Sequence, residues 1–235
     1  MYYRQHLLLA AIQGQPAIPK FDLDYSWTSN TDSMHAMKYE SPLYCPQKTF
    51  DPLLQSKRLS EDTLHLLYNS KALIDLVVDF DEGAVNDASF DITFYYLKTE
   101  LEHHTSAHDV IVTSERHWIF ECCRLTVVII LVAIETSQPL VSSDSMFTRC
   151  LVRALEKTDI GDNWGELSGV LYWVLMVGSA SCHGRPGHRL MDSTLGRTMA
   201  KLTFTALDFS SALEPIRRFS HLQRALERRN QVVAL

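Results

Sequence analysis

Carboxylates and imidazoles crowd into one stretch of the chain, ELEHHTSAHD at residues 100–109. Glu100 and His103 stand three apart, which puts both on one face of a helix, the spacing used by carboxylate-bridged di-iron bundles. His104 and His108 stand four apart, one helical turn, and could share a zinc ion. A di-iron bundle also needs a second Glu-x-x-His pair and further glutamates, and the sequence has no second pair. Half a ligand set binds weakly, so the competing reading is a solvated helix end. The expectation is therefore that the chain carries no cofactor, with these four residues as its metal candidates.

Nucleophilic chemistry finds less support. GELSG at 165–169 and GSASCHG at 178–184 only approximate a nucleophile elbow, and no strand pattern precedes either. Cys182 and His183 are adjacent, so on a helix their side chains point about 100° apart and do not form a dyad. Glycine loops that cradle phosphate, G-x-x-x-x-G-K-S/T or G-x-G-x-x-G, do not occur. The five cysteines are odd in number and widely spaced apart from Cys122–Cys123. That pattern suits reduced thiols better than a disulfide framework. With no complete catalytic set, the chain reads as a non-enzyme.

Two charged features need partners. Arg124 lies in apolar surroundings three residues after Glu121, and a local ion pair is the expected arrangement. EPIRRFSHLQRALERRN near the C-terminus carries Arg217, Arg218, Arg224, Arg228 and Arg229, with Ile216, Phe219, Leu222 and Leu226 as its apolar face. A solvated basic face is the ordinary reading of such a run, and nuclear import or partner binding the sharper one. The whole chain is acidic, with 22 Lys and Arg against 28 Asp and Glu, which argues against direct DNA binding by this segment.

These residues must be held by helices. The 235 residues are 46% hydrophobic, enough to build a substantial core. Residues 2–12 read as a short helix that Gly14 and Pro16 stop. Leu7 to Ile12 is too short for the apolar region of a signal peptide. Residues 14–58, rich in proline and aromatics, read as an ordered loop laying rings on a neighbouring surface, with room for one short helix. From Ser60, a plausible cap, Leu64, Leu67, Ile74, Val77 and Val78 repeat at the helical period until Gly83. Asp87 is the expected cap of the next segment, whose aromatic and β-branched residues could instead form a short strand but whose length favours helix; Ser114 is the expected cap of the third helix, and Pro139 its stop. Phe147, Leu151 and Leu155 align on a fourth. Two last helices are expected over 188–209 and 213–229, broken near Pro215.

GVLYWVLMVGSASCHGRPGHR, from Gly169 to Arg189, poses the question of a membrane span. Leu167 to Cys182 gives 16 residues without a charge and Leu125 to Ile134 gives ten, where a bilayer takes about 20. Both fall short, which favours central helices surrounded by others and no membrane association. Gly184 can close the helix in a left-handed conformation, and Gly178, Ser179, Ala180 and Ser181 are small enough for a neighbouring backbone to approach. The expected architecture is all-α, a single multi-helix domain with an irregular N-terminal region over 1–58 and a helical core over 59–235.

Two segments taken together resemble a known family. ECCRLTVVIILVAI at 121–134 is similar to the E-A-C-R-L-type helix of the regulatory region of fungal zinc-cluster (Zn2Cys6) transcription factors. VLYWVLMVGSASCHGRPGHR at 170–189 resembles the same family's Trp-containing helix, which ends in a small-residue run, a glycine turn and an arginine. YESPLYCPQKTFDPLLQSKRLSEDTLHLL at 39–67 has the family's looser look ahead of its first long helix. The resemblance extends from about residue 40 to 225. It implies an all-helical regulatory, fungal-specific transcription factor domain acting in the nucleus. It also implies protein partners, a co-regulator or a second copy, and room for a small-molecule effector. Glu121, Arg124, Trp173 and Gly178 match the pattern as structural positions, and the pattern supplies no catalytic residue. The six-cysteine cluster that touches DNA in the family does not occur here, nor do the basic linker and coiled coil that follow it. The chain therefore reads as a regulatory fragment, a truncated form or a stand-alone relative. A helical-bundle metalloenzyme and a membrane-associated helical protein are the alternatives.

Overall fold

Ser60 starts the first long helix as its sequence suggests: it is extended (φ −89°, ψ 162°) and its hydroxyl accepts a hydrogen bond from the Thr63 amide at 3.2 Å. The computed structural model describes residues 39–54, 56, 58–103, 115–142, 145–158, 160, 164–165, 167–185, 187–205 and 209–233, and these described residues form eight α-helices and no strand. A four-residue helix α1 (Asp51–Leu54) precedes α2 (Glu61–Asp81), α3 (Asp87–Glu102) and α4 (Glu115–Glu135). A 3-10 turn (Leu140–Ser142) leads into α5 (Ser145–Glu156), α6 (Ser168–Ser181), α7 (His188–Thr205) and α8 (Phe209–Val233). The all-α class is thus established. The expected helix over 2–12 and the cap at Ser114 lie outside the described residues.

Several boundaries differ from the sequence reading. Asn86, not Asp87, caps α3; its side-chain oxygen takes the Ser89 amide at 2.9 Å, and Asp87 is the first helical residue. Pro215 does not break the C-terminal helix. It sits inside α8 (Phe209–Val233), where it costs only its own bond to the carbonyl four residues back. The stop after α4 is a left-handed Ser137 (φ 49°), two residues ahead of Pro139.

The described part of the N-terminal region is laid onto the core, as its rings suggest. Ser41 and Tyr44 exchange backbone hydrogen bonds, Phe50 and Leu53 are fully buried, and Tyr39 packs against the core. Phe50 meets the ring of Tyr68 edge-on at 4.9 Å, and its amide donates to the Tyr68 hydroxyl at 2.9 Å.

One continuous hydrophobic core runs through these elements. Every residue of α6 is buried, so this helix is the axis, enclosed by α4, α5, α7 and the 3-10 turn. α4 is the hub, touching α5 and α6 on one side and α2 and α3 on the other. α8 closes the far side against α2 and α7. Because α4 stays helical from His117 onward, it is long and apolar enough to cross a membrane, more so than its ten-residue uncharged run suggests. In the structure 72% of that segment is covered by other parts of the protein.

Candidate functional site

The metal candidates divide. Glu100 and His103 lie at the C-terminal end of α3, where His103 is exposed and its Nδ1 bonds back to the Thr99 carbonyl. His104 and His108 fall outside the described residues. Among the described residues, no three His, Cys, Asp or Glu side chains converge to hold a metal ion.

The four family-like positions fall two on α4 and two on α6, helices that contact each other. Glu121 is fully buried and grips Arg124 through two bonds of 2.8 Å, Nε to Oε2 and Nη2 to Oε1. That fork geometry satisfies both carboxylate oxygens, which an unpaired charge in this interior would leave costly. Trp173 is fully buried in α6, and neither its indole Nε1 nor the neighbouring Tyr172 hydroxyl has a hydrogen-bond partner among the described residues. Burial pushes the Tyr172 hydroxyl far above the usual phenol range. Gly178 accommodates side chains rather than a backbone: a Cβ there would meet the Met191 thioether 3.0 Å away and Leu151 3.2 Å away. The close backbone approach occurs at Gly169 instead, where a Cβ would lie 2.1 Å from the carbonyl oxygen of Tyr39.

At the exit of α6, a polar cluster gathers that spacing alone did not reveal. Asp192 of α7 accepts from the Ser179 hydroxyl and pairs with His188 Nε2 at 3.0 Å. His183 stacks edge-on against His188 with ring centres 4.9 Å apart. Arg185 donates to the carbonyls of Ser181 at 3.3 Å and Val141 at 3.1 Å, tying the turn to the 3-10 segment. Gly184 is left-handed (φ 71°) as expected, and so is Gly187 (φ 94°), where Val152 would clash with any Cβ at 2.7 Å. The order here is serine–aspartate–histidine. A hydrolase needs the imidazole between the other two to take the hydroxyl proton, and Ser179 is fully buried besides. Burial and the nearby Asp192 push the Cys182 thiol up to about 11, so it stays protonated at neutral pH and is a poor nucleophile. The histidine of this cluster and the aspartate four residues on were separated in sequence from the serine by a turn, which is why periodicity did not link them.

A cavity of about 220 Å³ opens between the segment leading into α6 and the face of α7. Ile160, Trp164 and Leu171 form its apolar side, and Ser168, Thr194, Thr198 and Arg197 its polar side. Trp164 is fixed by its Nε1 donating to the Thr158 hydroxyl at 2.9 Å. Among its described lining residues Arg197 is the one titratable group, so these residues offer no acid–base pair.

The C-terminal arginines are not a uniform solvated face. Arg218 reaches Asp75 of α2 at 2.6 Å and Arg228 reaches Asp81 at 2.8 Å. Arg229 lies over the rings of Phe90 and Phe80, 4.3 and 5.2 Å from their centres, and burial lowers its guanidinium below the usual range. Arg217, paired with Glu214 at 3.6 Å, and Arg224 stay exposed. Three of the five therefore dock α8 onto α2 and α3.

No family model matches the chain, and no curated protein and no solved structure matches it.

Proposed function

We propose that this chain is a regulatory or interaction module that modulates transcription through protein contacts, without turnover and without contacting DNA itself. One observation carries the reading: the two segments that resemble zinc-cluster regulatory regions are two neighbouring helices of the interior, α4 and α6, and their shared positions serve packing. Glu121 and Arg124 lock α4, while Trp173 and Gly178 fill and shape α6. A helical body with one continuous core can pass a partner's binding on to its neighbours by shifting the packing of its helices. A co-regulator or a second copy of the chain is the macromolecular partner, the cavity beside Trp164 is the place for a small effector, and the nucleus is the site of action.

The test is a tethering assay. Fusing the chain to an unrelated DNA-binding domain should change expression of a reporter bearing that domain's site. The purified chain alone should shift no DNA fragment sequence-selectively. A reporter that does not respond, or tight selective DNA binding by the chain, would overturn the proposal.

A further inference from the structure

The outer face of α3 carries large apolar and aromatic side chains that are mainly exposed among the described residues. Phe90, Leu97 and Leu101 are buried and Phe94 half-buried, so α3 already presents one stripe to the core. On the opposite side Ile92, Tyr95 and Tyr96 are 73%, 72% and 63% exposed. Spaced i, i+3, i+4, and followed by Thr99 at i+7, they repeat the seam that a second helix packs against. Tyrosine is also a residue type enriched where proteins meet. Exposed residues of this size are ordinary one at a time, but three on one helix face form a patch.

The charges beside the patch say what it fits. α3 carries Asp87, Asp91, Glu100 and Glu102 against a single cation, Lys98. Lys98 is held by Glu135 of α4 and by Glu102 at 3.5 Å. Asp87 and Asp91 are exposed at the N-terminal end of the face, and Glu102 at the other. A second copy of α3 would bring like charges together across the seam, which opposes self-pairing. A helix with apolar residues at the same spacing and arginines or lysines at its two ends would meet opposite charge at both ends of the face.

We infer that the Ile92–Tyr95–Tyr96 face of α3 docks a basic amphipathic helix of a protein partner. This rests on the reading of the chain as an interaction module and names the surface and the chemistry of what it takes.

The probe is a designed 18-residue amphipathic helix with leucines at the seam positions and arginine flanks, compared with the same peptide carrying glutamate flanks. Fluorescence anisotropy with the full chain should show the arginine peptide binding at least tenfold tighter at low salt, with the preference shrinking as salt rises. Ile92→Ser combined with Tyr95→Ser should weaken it at least tenfold while circular dichroism and thermal midpoint hold, because both side chains are mainly in solvent. Met146→Ser, on an exposed residue of α5, should leave binding unchanged. Asp91→Lys should reduce the charge preference. Equal binding of the two peptides, binding indifferent to the double variant, or no binding of either peptide would overturn the inference. So would a dimer in sedimentation that the double variant dissociates, since the face would then belong to a second copy. A reporter that still responds in the tethering assay alongside such a result would leave the module reading standing and remove only this surface.

Discussion

The carbonyl oxygen of Tyr39 sits where Gly169 would carry a side chain, 2.1 Å from the position of a Cβ. The second turn of contact, the Glu40 carbonyl, lies 2.8 Å from the same point. The start of α6 is thus fastened to the chain that precedes α1, and only glycine leaves the room.

Gly169→Ala should therefore destabilise the protein by about 3 kcal/mol or more, because backbone rather than a flexible side-chain end must move. Gly196 in α7 is exposed and a Cβ there meets nothing, so Gly196→Ala should stabilise by about 1 kcal/mol by removing the glycine penalty in a helix. Urea unfolding of both variants beside the wild type measures the pair. Similar effects at both sites would contradict the fastening of α6 to Tyr39.

Removing one side of the Glu121–Arg124 fork should cost more than removing both. Arg124→Ala takes the guanidinium fork away from a fully buried carboxylate and should lose about 3 kcal/mol. The double variant Glu121→Leu with Arg124→Met replaces the pair by apolar volume and should recover most of that loss. A double-mutant cycle on unfolding free energies reads the coupling directly, and a cycle that closes additively would rule out the fork as a structural lock.

Tyr172 predicts a change of the opposite sign. Its hydroxyl is buried without a hydrogen-bond partner among the described residues, so Tyr172→Phe keeps the ring and removes an unsatisfied polar atom. Stability should rise by about 1 kcal/mol. A loss of similar size in thermal or urea unfolding would mean that the hydroxyl is bonded in solution.

Acid should weaken the protein in part through His221. Burial holds this imidazole below the usual histidine range, Arg224 and Arg218 push the same way, and Glu82 and Glu214 oppose them. The fold therefore favours neutral His221, whereas the unfolded chain takes up a proton near pH 6.5. The contribution is complete above about pH 6.5 and is lost as pH falls toward the depressed folded-state value. Between pH 7.5 and 5.5 the wild type should lose more unfolding free energy than His221→Gln, and equal losses would refute the assignment.

What the sequence made legible was local. Helical periodicity placed Leu64, Leu67, Ile74, Val77 and Val78 on a buried face, all of them now in the core of α2. Three-residue spacing linked Glu121 to Arg124, because partners one turn apart are visible without knowing the fold. Arg218 and Asp75 are 143 residues apart, and no local pattern joins them; only the docking of α8 onto α2 does. The same holds for Gly169 against Tyr39, and for Asp192 against Ser179, which lie on successive helices; the other partner of Asp192, His188, is only one helical turn away. Pro215 misled for a different reason. Its missing donor is a fixed local cost, and the burial of Ile216, Phe219, Leu222 and Leu226 on the core outweighs it.

The central claim is that α4 and α6 pair as the protein's own interior, and native-state hydrogen exchange followed by mass spectrometry tests it most directly. In detergent-free buffer, amides of His117–Glu135 and Ser168–Ser181 should be the most protected in the chain and should exchange together, at the free energy of global unfolding measured by urea. Exchange of either helix well ahead of global unfolding, or protection of His117–Glu135 that appears only when detergent micelles are added, would contradict it.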